Sequence, residues 1–233
     1  MEQSPGQSKL TFAEQLLDFL AHLEWPEVPE DVEVMNPYAD TTAWALTQAF
    51  YRKYYSDNQA RTLIIGINPG RFGGGVTGIP FTDPLKLQDI CGIENNLVRK
   101  QELSSTFIYH MIAAFGGPKV FYQHFCFSAV SPVGFTMHGK NLNYYDHKEL
   151  QTKQWVSFMT NCFESQLQMG VNREVAYVLG QGQNLKFLSK LNDEKGFFKK
   201  LEVLPHPRWV MQYRLKRLEE FINVYIDKLS VHI

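Results

Sequence analysis

A glycine-rich segment between Gly66 and Phe81 holds the residue types with the clearest chemical potential in this sequence. It begins with Asn68, which follows an apolar run that predicts a buried strand over residues 61–67, and it ends with the ring of Phe81. Glycine has no Cβ, so the backbone between these two side chains can approach a ligand closely, and a planar ligand would fit. The alternative is an ordinary surface loop, in which Asn68 and Pro69 only start a turn.

Two nucleotide-binding patterns come close to this segment, and both fail. The glycines between residues 73 and 78 satisfy the dinucleotide-binding spacing, but Pro80 and Pro84 forbid the helix that this pattern must open. The segment also approaches a P-loop, yet Val76 stands where the phosphate-binding lysine must be. We therefore exclude a Rossmann-type cofactor site and a P-loop nucleotidase.

A second candidate is His206, which lies between Pro205 and Pro207. A lone histidine between two prolines is typical of a rigid surface turn whose ring is satisfied by solvent. His206 nevertheless follows a short predicted strand, as Asn68 does, and the two side chains would be brought together if those strands were parallel.

Periodicity and capping signals predict helices that alternate with short apolar strands. Thr11 and Glu14 form a capping box for a first helix that includes Leu23, and Asp40 or Thr41 caps a second helix that ends before residues 56–59. The further predicted helices are 106–115, 147–169, 185–191 and 209–229, and the predicted strands are 61–67, 125–130, 174–179 and 201–204.

This alternation requires right-handed crossovers and a parallel sheet. The expected fold class is α/β, a three-layer α/β/α arrangement with a central four-stranded parallel sheet, in one domain over residues 1–233 with a tail at 1–10. Ligands bind beyond the carboxyl ends of such strands. That rule selects four places: Asn68 onward, 128–132, 180–182 and 205–208.

Charge offers little global attraction to nucleic acid, since the formal net charge is -1. Between Lys195 and Arg217, however, the sequence has seven basic residues and a single acidic residue, Glu202. This run can hold a few phosphates, or it can be an ordinary solvated helix face.

The cysteines and the N-terminus indicate the compartment and the cofactors. Cys91, Cys126 and Cys162 are scattered within apolar segments, so we expect reduced core thiols, and three are too few for a four-cysteine iron–sulfur cluster. No clustered metal ligands stand near the strand ends, so we expect no metal and no cofactor. Because no signal peptide or membrane span is recognisable, we expect a cytoplasmic protein, associated with the nucleoid if bacterial.

Several segments together resemble the single-strand-selective monofunctional branch of the uracil-DNA glycosylases, the SMUG branch. Residues 66–73 and 77–81 resemble its first active-site motif in one ungapped stretch, and residues 204–207 resemble the start of its second. Residues 121–132 are similar to its strand before the base-reading residue, 139–142 to the loop beyond, and 180–182 to a glycine pair. The resemblance covers most of residues 63–217.

The resemblance implies roles for the candidate residues. Asn68 would position the attacking water, and His206 would contact the 2-carbonyl of uracil, where a neutral imidazole can stabilise the charge that develops on the departing base. The base would be flipped out of the DNA stack and would stack on a ring. The pocket residues are Ile67, Gly70, Phe81 and Ala129, and the DNA contacts are Lys140, Arg208, Trp209 and Arg214.

Two departures from the family pattern affect specificity and DNA contact. Ala129 replaces the asparagine that reads the uracil edge, so its methyl offers no hydrogen bond. In the second motif, a longer family stretch with a Ser-Pro-Arg-Asn run is replaced by residues 208–212. Two interpretations of Arg208, Trp209 and Arg214 are therefore equally well supported. These residues form either the start of the last helix with a core tryptophan, or a DNA wedge and phosphate clamp.

The resemblance predicts a monofunctional, monomeric DNA glycosylase that removes uracil or a related deaminated base from single- or double-stranded DNA, with no membrane partner. One alternative is a glycosylase for xanthine or hypoxanthine, because Ala129 leaves a roomier pocket. Another is a catalytically silent module, without enzymatic activity, that binds a nucleobase or single-stranded DNA. The presence of both Asn68 and His206 disfavours that module, because binding requires neither a water-positioning amide nor an oxyanion donor.

Overall fold

A computed structural model describes residues 10–231, and the predicted tail therefore lies outside the described residues except for Leu10. The helices are α1 Phe12–Ala21, α2 Thr41–Tyr54, α3 Gly74–Thr77, α4 Pro84–Asp89, α5 Leu103–Ala114, α6 Pro118–His124, α7 Lys153–Gln168, α8 Gln183–Lys195, α9 Pro207–Tyr213 and α10 Leu218–Ser230. The strands are β1 Val32–Met35, β2 Thr62–Gly66, β3 Phe125–Ala129, β4 Gly134–Met137, β5 Lys140–Leu142, β6 Val175–Leu179 and β7 Lys200–Leu204.

The central sheet has four parallel strands in the order β3-β2-β6-β7. Strands β2 and β6 are buried along their whole length, as expected for inner strands of a parallel sheet covered on both faces. Gly66 is paired with Ala129, and Leu179 with Leu204, so all four strands end at one edge of the sheet. The predicted α/β class and the four-stranded parallel sheet are confirmed.

The first two helices begin where their caps were predicted. The Thr11 hydroxyl accepts the Glu14 backbone N–H at 3.2 Å, and the Asp40 carboxylate accepts the Ala43 N–H at 2.8 Å. Helix α1 ends at Ala21, however, so the inclusion of Leu23 was wrong.

A second, antiparallel sheet of β1, β4 and β5 was not predicted. Residues 139–142, expected to be a loop, include β5, which pairs with β4 through the two-residue turn at His138 and Gly139. Both turn residues have positive φ, 50° and 68°, as the tight turns of β-hairpins require. Strands of three or four residues carry too little periodicity to be recognised from sequence.

The single helix predicted over residues 209–229 is divided in two. Helix α9 ends before Arg214, whose φ of -135° is not helical, and α10 then packs against both α5 and α9. The Tyr225 hydroxyl of α10 donates to the Pro205 carbonyl at 2.5 Å. A straight helix would run about 32 Å and could not turn back over the end of β7, so tertiary packing overrides local propensity here.

Two further helix predictions need correction. The helix predicted from residue 147 begins only at Lys153, because Thr152 is extended and residues 148–151 form a 3-10 turn. Pro84 does not forbid a helix but starts one, with Asp83 as its cap, since proline is well suited to the first helical position. Helix α3 is a single turn, too short for the dinucleotide-binding pattern, so that exclusion stands.

The buried interior agrees with the expected state of the cysteines: Cys91, Cys126 and Cys162 are buried and unpaired. Within residues 10–231, no helix combines the length and the apolar character needed to cross a membrane.

Candidate active site

A cleft of about 800 Å³ lies at the carboxyl edge of the central sheet. All four strand ends selected from the sequence contribute to it, together with the glycine-rich loop and the start of α9. Its wall includes the predicted site residues Ile67, Asn68, Gly70, Phe81, Ala129, His206, Arg208 and Trp209.

The Asn68 carboxamide is held in one orientation by backbone groups. Its Oδ1 accepts the Tyr144 N–H at 3.1 Å, while its Nδ2 donates to the carbonyls of Leu142 and Pro69 at 3.2 and 3.3 Å. Both Nδ2 hydrogens are therefore engaged, and Oδ1 keeps one lone pair. The free lone pair makes Oδ1 the atom of Asn68 that can hold a water molecule.

The segment that orients Asn68 was not identified from the sequence. The Tyr144 hydroxyl donates to the Asn184 side chain at 3.0 Å, and Asn184 Nδ2 donates to the Gly66 carbonyl at 3.2 Å. Asn184 is buried, so this chain of hydrogen bonds ties α8 and the residue-144 loop to the end of β2. No spacing in the sequence signals such long-range contacts.

His206 lies at the end of β7 and is the N-cap of α9. Its Nδ1 accepts the Arg208 backbone N–H at 3.2 Å, which leaves Nε2 to carry the proton of the neutral ring. Burial, together with the Arg208 guanidinium, lowers the pKa of His206 to about 4. Gly180, which lies beside His206, has φ +93°, a backbone conformation that favours glycine.

Phe81 forms an aromatic wall of the cleft and has an unusual backbone for a bulky residue, with φ 54°. Its ring lies over Gly66 and packs against Phe127, with ring centroids 5.2 Å apart. A Cβ on Gly66 would come within 2.9 Å of Phe81 Cζ. The end of β2 therefore requires glycine to let this ring reach its position.

Ile67, Gly70 and Ala129 also line the cleft. Ala129 ends β3 beside Gly66, and its methyl presents no polar atom. The neighbouring Ser128 hydroxyl does not compensate for this, because it donates to the Gln166 side chain at 2.6 Å.

Glu102 is a cleft residue that the sequence did not single out. It stands at the entry to α5, and its backbone N–H donates to Asp83 Oδ2 at 3.0 Å. Burial and the negative charge of Asp83 raise the pKa of Glu102 to about 7, although Arg208 opposes that rise. Its position before a helix gives no motif by which it could have been found.

The predicted DNA contacts surround the mouth of the cleft. Arg208 and the half-exposed Trp209 lie in the cleft wall, while the Arg214 guanidinium lies 4.9 Å from the centre of the Trp209 ring. The exposed Lys140 lies beside the wall residue Asn141 and not in the wall itself.

The basic run between residues 195 and 217 is not one phosphate-binding surface. Four of its seven cations form ion pairs with glutamates: Lys195 with Glu164, Lys199 with Glu174, Lys200 with Glu202, and Arg217 with Glu220. Arg208, Arg214 and Lys216 form no such pair within the described residues. Of these three, Arg208 lines the cleft and Arg214 lies against the Trp209 ring of its wall.

Over residues 10–231, no group of three or more His, Cys, Asp or Glu side chains is placed to hold a metal ion. The cleft instead offers an oriented amide oxygen, a neutral imidazole N–H and an aromatic ring. These groups suit hydrolysis of a bond to a planar leaving group, because the amide can hold a water and the imidazole can stabilise developing negative charge.

Comparisons with known proteins agree with this chemistry. Residues 52–230 match the sequence profile of the uracil DNA glycosylase superfamily. The crystal structure of wild-type SMUG2 from Pedobacter heparinus is similar, with a TM-score of 0.92 and 41% identity over 96% of this chain and 98% of that chain. No curated protein matches this sequence. This protein belongs to the uracil DNA glycosylase superfamily and is of the SMUG type.

Proposed function

We propose that this protein hydrolyses the bond between uracil and C1′ of deoxyribose in DNA, the first step of base excision repair. The observation that carries the proposal is the placement of Asn68 and His206 at two strand ends of one cleft, in a chain of this superfamily. Their roles are complementary, since one serves the incoming water and the other the departing base.

The proposed reaction begins when a damaged base is flipped out of the DNA stack into the cleft. Stacking on Phe81 offsets part of the cost of unstacking. Asn68 Oδ1 accepts a hydrogen bond from the water that attacks C1′, and His206 Nε2–H donates to the 2-carbonyl oxygen of uracil, where negative charge develops. Both groups are oriented by backbone hydrogen bonds before substrate binds, which reduces the cost of reorganisation.

DNA would be held at the mouth of the cleft by Arg208 and Arg214, with Trp209 as the ring beside the flipped nucleotide and Lys140 as a phosphate contact on the facing hairpin. Since one chain supplies all four strand ends of the cleft, we propose that the monomer is active.

A base-release assay tests the proposal with single- and double-stranded oligonucleotides that carry uracil, hypoxanthine or xanthine. Release of uracil is expected, and undamaged oligonucleotides together with the Asn68→Ala/His206→Ala double variant serve as controls. Binding without release from any lesion would contradict the proposal and favour a silent binding module. Release of purine lesions alone would reassign the substrate.

Two further arms of the same assay test the reaction type. We expect full activity in EDTA, because no group of three or more His, Cys, Asp or Glu side chains within residues 10–231 is placed to hold a metal ion. We also expect no borohydride-trapped adduct, because none of the described residues that line the cleft is a lysine able to form a Schiff base with the sugar. Loss of activity in EDTA would contradict a metal-independent reaction, and a trapped adduct would contradict a monofunctional one.

A further inference from the structure

Glu102 places a carboxyl group against the glycine-rich loop of the cleft. Its Oε2 would lie 2.0 Å from a Cβ on Gly73, so the carboxyl group occupies space that the absence of a side chain at Gly73 leaves open, and its Oε1 lies in ordinary contact distance, 3.4 Å, of a Cβ on Gly70. Among residues 10–231, no hydrogen bond or ion pair engages this carboxyl group. Glu102 is only partly buried, and a carboxyl group without a protein partner in the wall of a cleft is available to substrate or water.

The Glu102 carboxyl group and the Asn68 amide border the same short piece of backbone. Asn68 Nδ2 donates to the Pro69 carbonyl at 3.3 Å, and Glu102 Oε1 lies beside Gly70, the next residue. Both side chains belong to the wall of one cleft. The cleft thus brings the amide and the carboxyl group to two consecutive residues of the glycine-rich loop.

The proposed reaction leaves a proton without an acceptor. When the water oxygen bonds to C1′, it must lose a proton, and the Asn68 amide can orient the water but cannot take that proton up. His206 is unsuited, because its Nδ1 is engaged with the Arg208 N–H and its Nε2 carries the ring proton. Of the described residues that line the cleft, Glu102 is the one carboxylic acid.

We propose that Glu102 is a further catalytic residue, which accepts the proton of the attacking water. This inference rests on the proposed function. The water oxygen forms a bond to C1′, the C1′–N bond breaks with its electron pair leaving on the base, and one water proton passes to the Glu102 carboxylate. The protonated Glu102 then returns that proton to the departed base or to solvent, which restores the carboxylate.

The charges around Glu102 suit a proton acceptor that works near neutral pH. Burial and, secondly, the negative charge of Asp83 raise its pKa to about 7, while Arg208 from α9 limits the rise. On the flanking segments, Arg71 and Lys100 both lie against the Phe72 ring, at 4.4 and 3.7 Å from its centre. A proton acceptor in catalysis is most effective when its pKa lies close to the pH at which the enzyme works.

The test is the pH dependence of single-turnover base release by the wild type and Glu102→Gln, measured with the full chain on a uracil oligonucleotide from about pH 5.5 to 9. The wild-type rate should rise with pH through about 7 and then level off, because the carboxylate form is needed. Glu102→Gln should lose this rise and should be slower at pH 8 by on the order of 100-fold or more, the usual size of general-base effects.

Controls separate this role from a structural one. Glu94→Gln removes an exposed carboxylate on the same connecting segment and should keep the wild-type profile, and Glu102→Asp should restore part of the pH-dependent rise. Thermal melting and binding to an uncleavable substrate analogue check that the variants fold. A wild-type profile that is flat around pH 7 would overturn the proposal even if Glu102→Gln does not fold.

The remaining outcomes distinguish this proposal from the proposed function. No base release by the wild type would contradict the function itself. Active wild type with an unchanged profile in Glu102→Gln would overturn only the role of Glu102. A changed ranking of lesions with an unchanged profile would also overturn it and would assign Glu102 to base recognition.

Discussion

His206 Nδ1 accepts the backbone N–H of Arg208 at 3.2 Å, so the histidine side chain caps the helix that begins one residue later. The same hydrogen bond fixes the tautomer, because the neutral ring must then carry its proton on Nε2. Local helix capping and the proposed electrostatic role are thus served by opposite nitrogens of one ring.

Replacement of His206 by alanine should slow single-turnover base release by on the order of 10²–10³, the usual cost of one oxyanion-type donor. DNA binding should change little, because the ring acts on the base and not on the phosphates. The measurement is single-turnover release of uracil together with the dissociation constant for an uncleavable analogue.

His206→Gln serves as the matched control, because its amide keeps an N–H donor and should retain more activity than alanine. The double variant with Asn68→Ala need not show the product of the two effects, because both groups serve one transition state. A wild-type rate for His206→Ala would show that the turn of residues 205–207 has only a structural role.

The lowered pKa of His206 predicts a pH dependence of stability. Because the folded-state pKa of about 4 lies below the ordinary value of 6.5, the unfolded chain binds the proton first as pH falls. The free energy of unfolding should therefore decrease from about pH 6.5 to about 4, and His206→Gln should reduce this decrease. Denaturant unfolding at several pH values measures the free energy of unfolding. If this free energy decreased equally with falling pH in the wild type and in His206→Gln, the lowered pKa of His206 would be contradicted.

Because His206 stays neutral above about pH 5, it should add no step to the activity profile between pH 5.5 and 9. A step near pH 7 would then belong to another group, and Glu102 is the candidate. His206→Gln should keep the midpoint of that step while lowering the whole profile.

The sequence predicts the central sheet well because its strands are continuous apolar runs. Residues 62–66 and 175–179 are buried throughout, so composition alone marks them as inner strands. The hairpin of β4 and β5 was missed because its strands are short and its turn depends on positive φ at His138, a residue that seldom signals a turn. The break at Arg214 has no local signal at all, since packing of α10 on α5 imposes it.

In the candidate site, strand-end residues such as Asn68 and His206 could be found because parallel strands bring their ends together. Glu102 and Asn184 could not, since each reaches the cleft from the start of a helix through contacts distant in sequence. Such contacts depend on packing angles, which no local pattern encodes.

Asn68→Asp should reduce base release instead of supplying a stronger base. The new carboxylate oxygen would face the carbonyls of Leu142 and Pro69, which now receive the Nδ2 hydrogens. Loss of these donors to part-buried carbonyls should also lower the free energy of unfolding, by about 1–3 kcal/mol. Single-turnover rates and denaturant unfolding measure both effects, with Asn68→Ala for comparison. A variant with aspartate that is as active as the wild type would contradict this orientation of the amide.

Ala129→Asn should shift the preference among lesions toward uracil, because it adds a donor and an acceptor to a wall that now presents only a methyl group. The measurement is kcat/KM for uracil, hypoxanthine and xanthine oligonucleotides. Ala129→Leu, which has the same branched shape as asparagine but no polar atoms, should not produce the shift. An unchanged ranking with asparagine would show that the base is recognised elsewhere in the cleft.

Gly66→Ala should impair base binding through the Phe81 ring. The new Cβ would lie 2.9 Å from Phe81 Cζ, and Phe127 lies against the ring with centroids 5.2 Å apart, so the ring must move. Because stacking of a base on an aromatic side chain contributes about 1–3 kcal/mol, the affinity for a flipped-base analogue should fall by about 5- to 150-fold. In a Phe81→Ala background the same substitution should have little further effect, since no ring remains to be displaced. An equal loss of affinity in both backgrounds would show that Gly66 acts through the strand and not through Phe81.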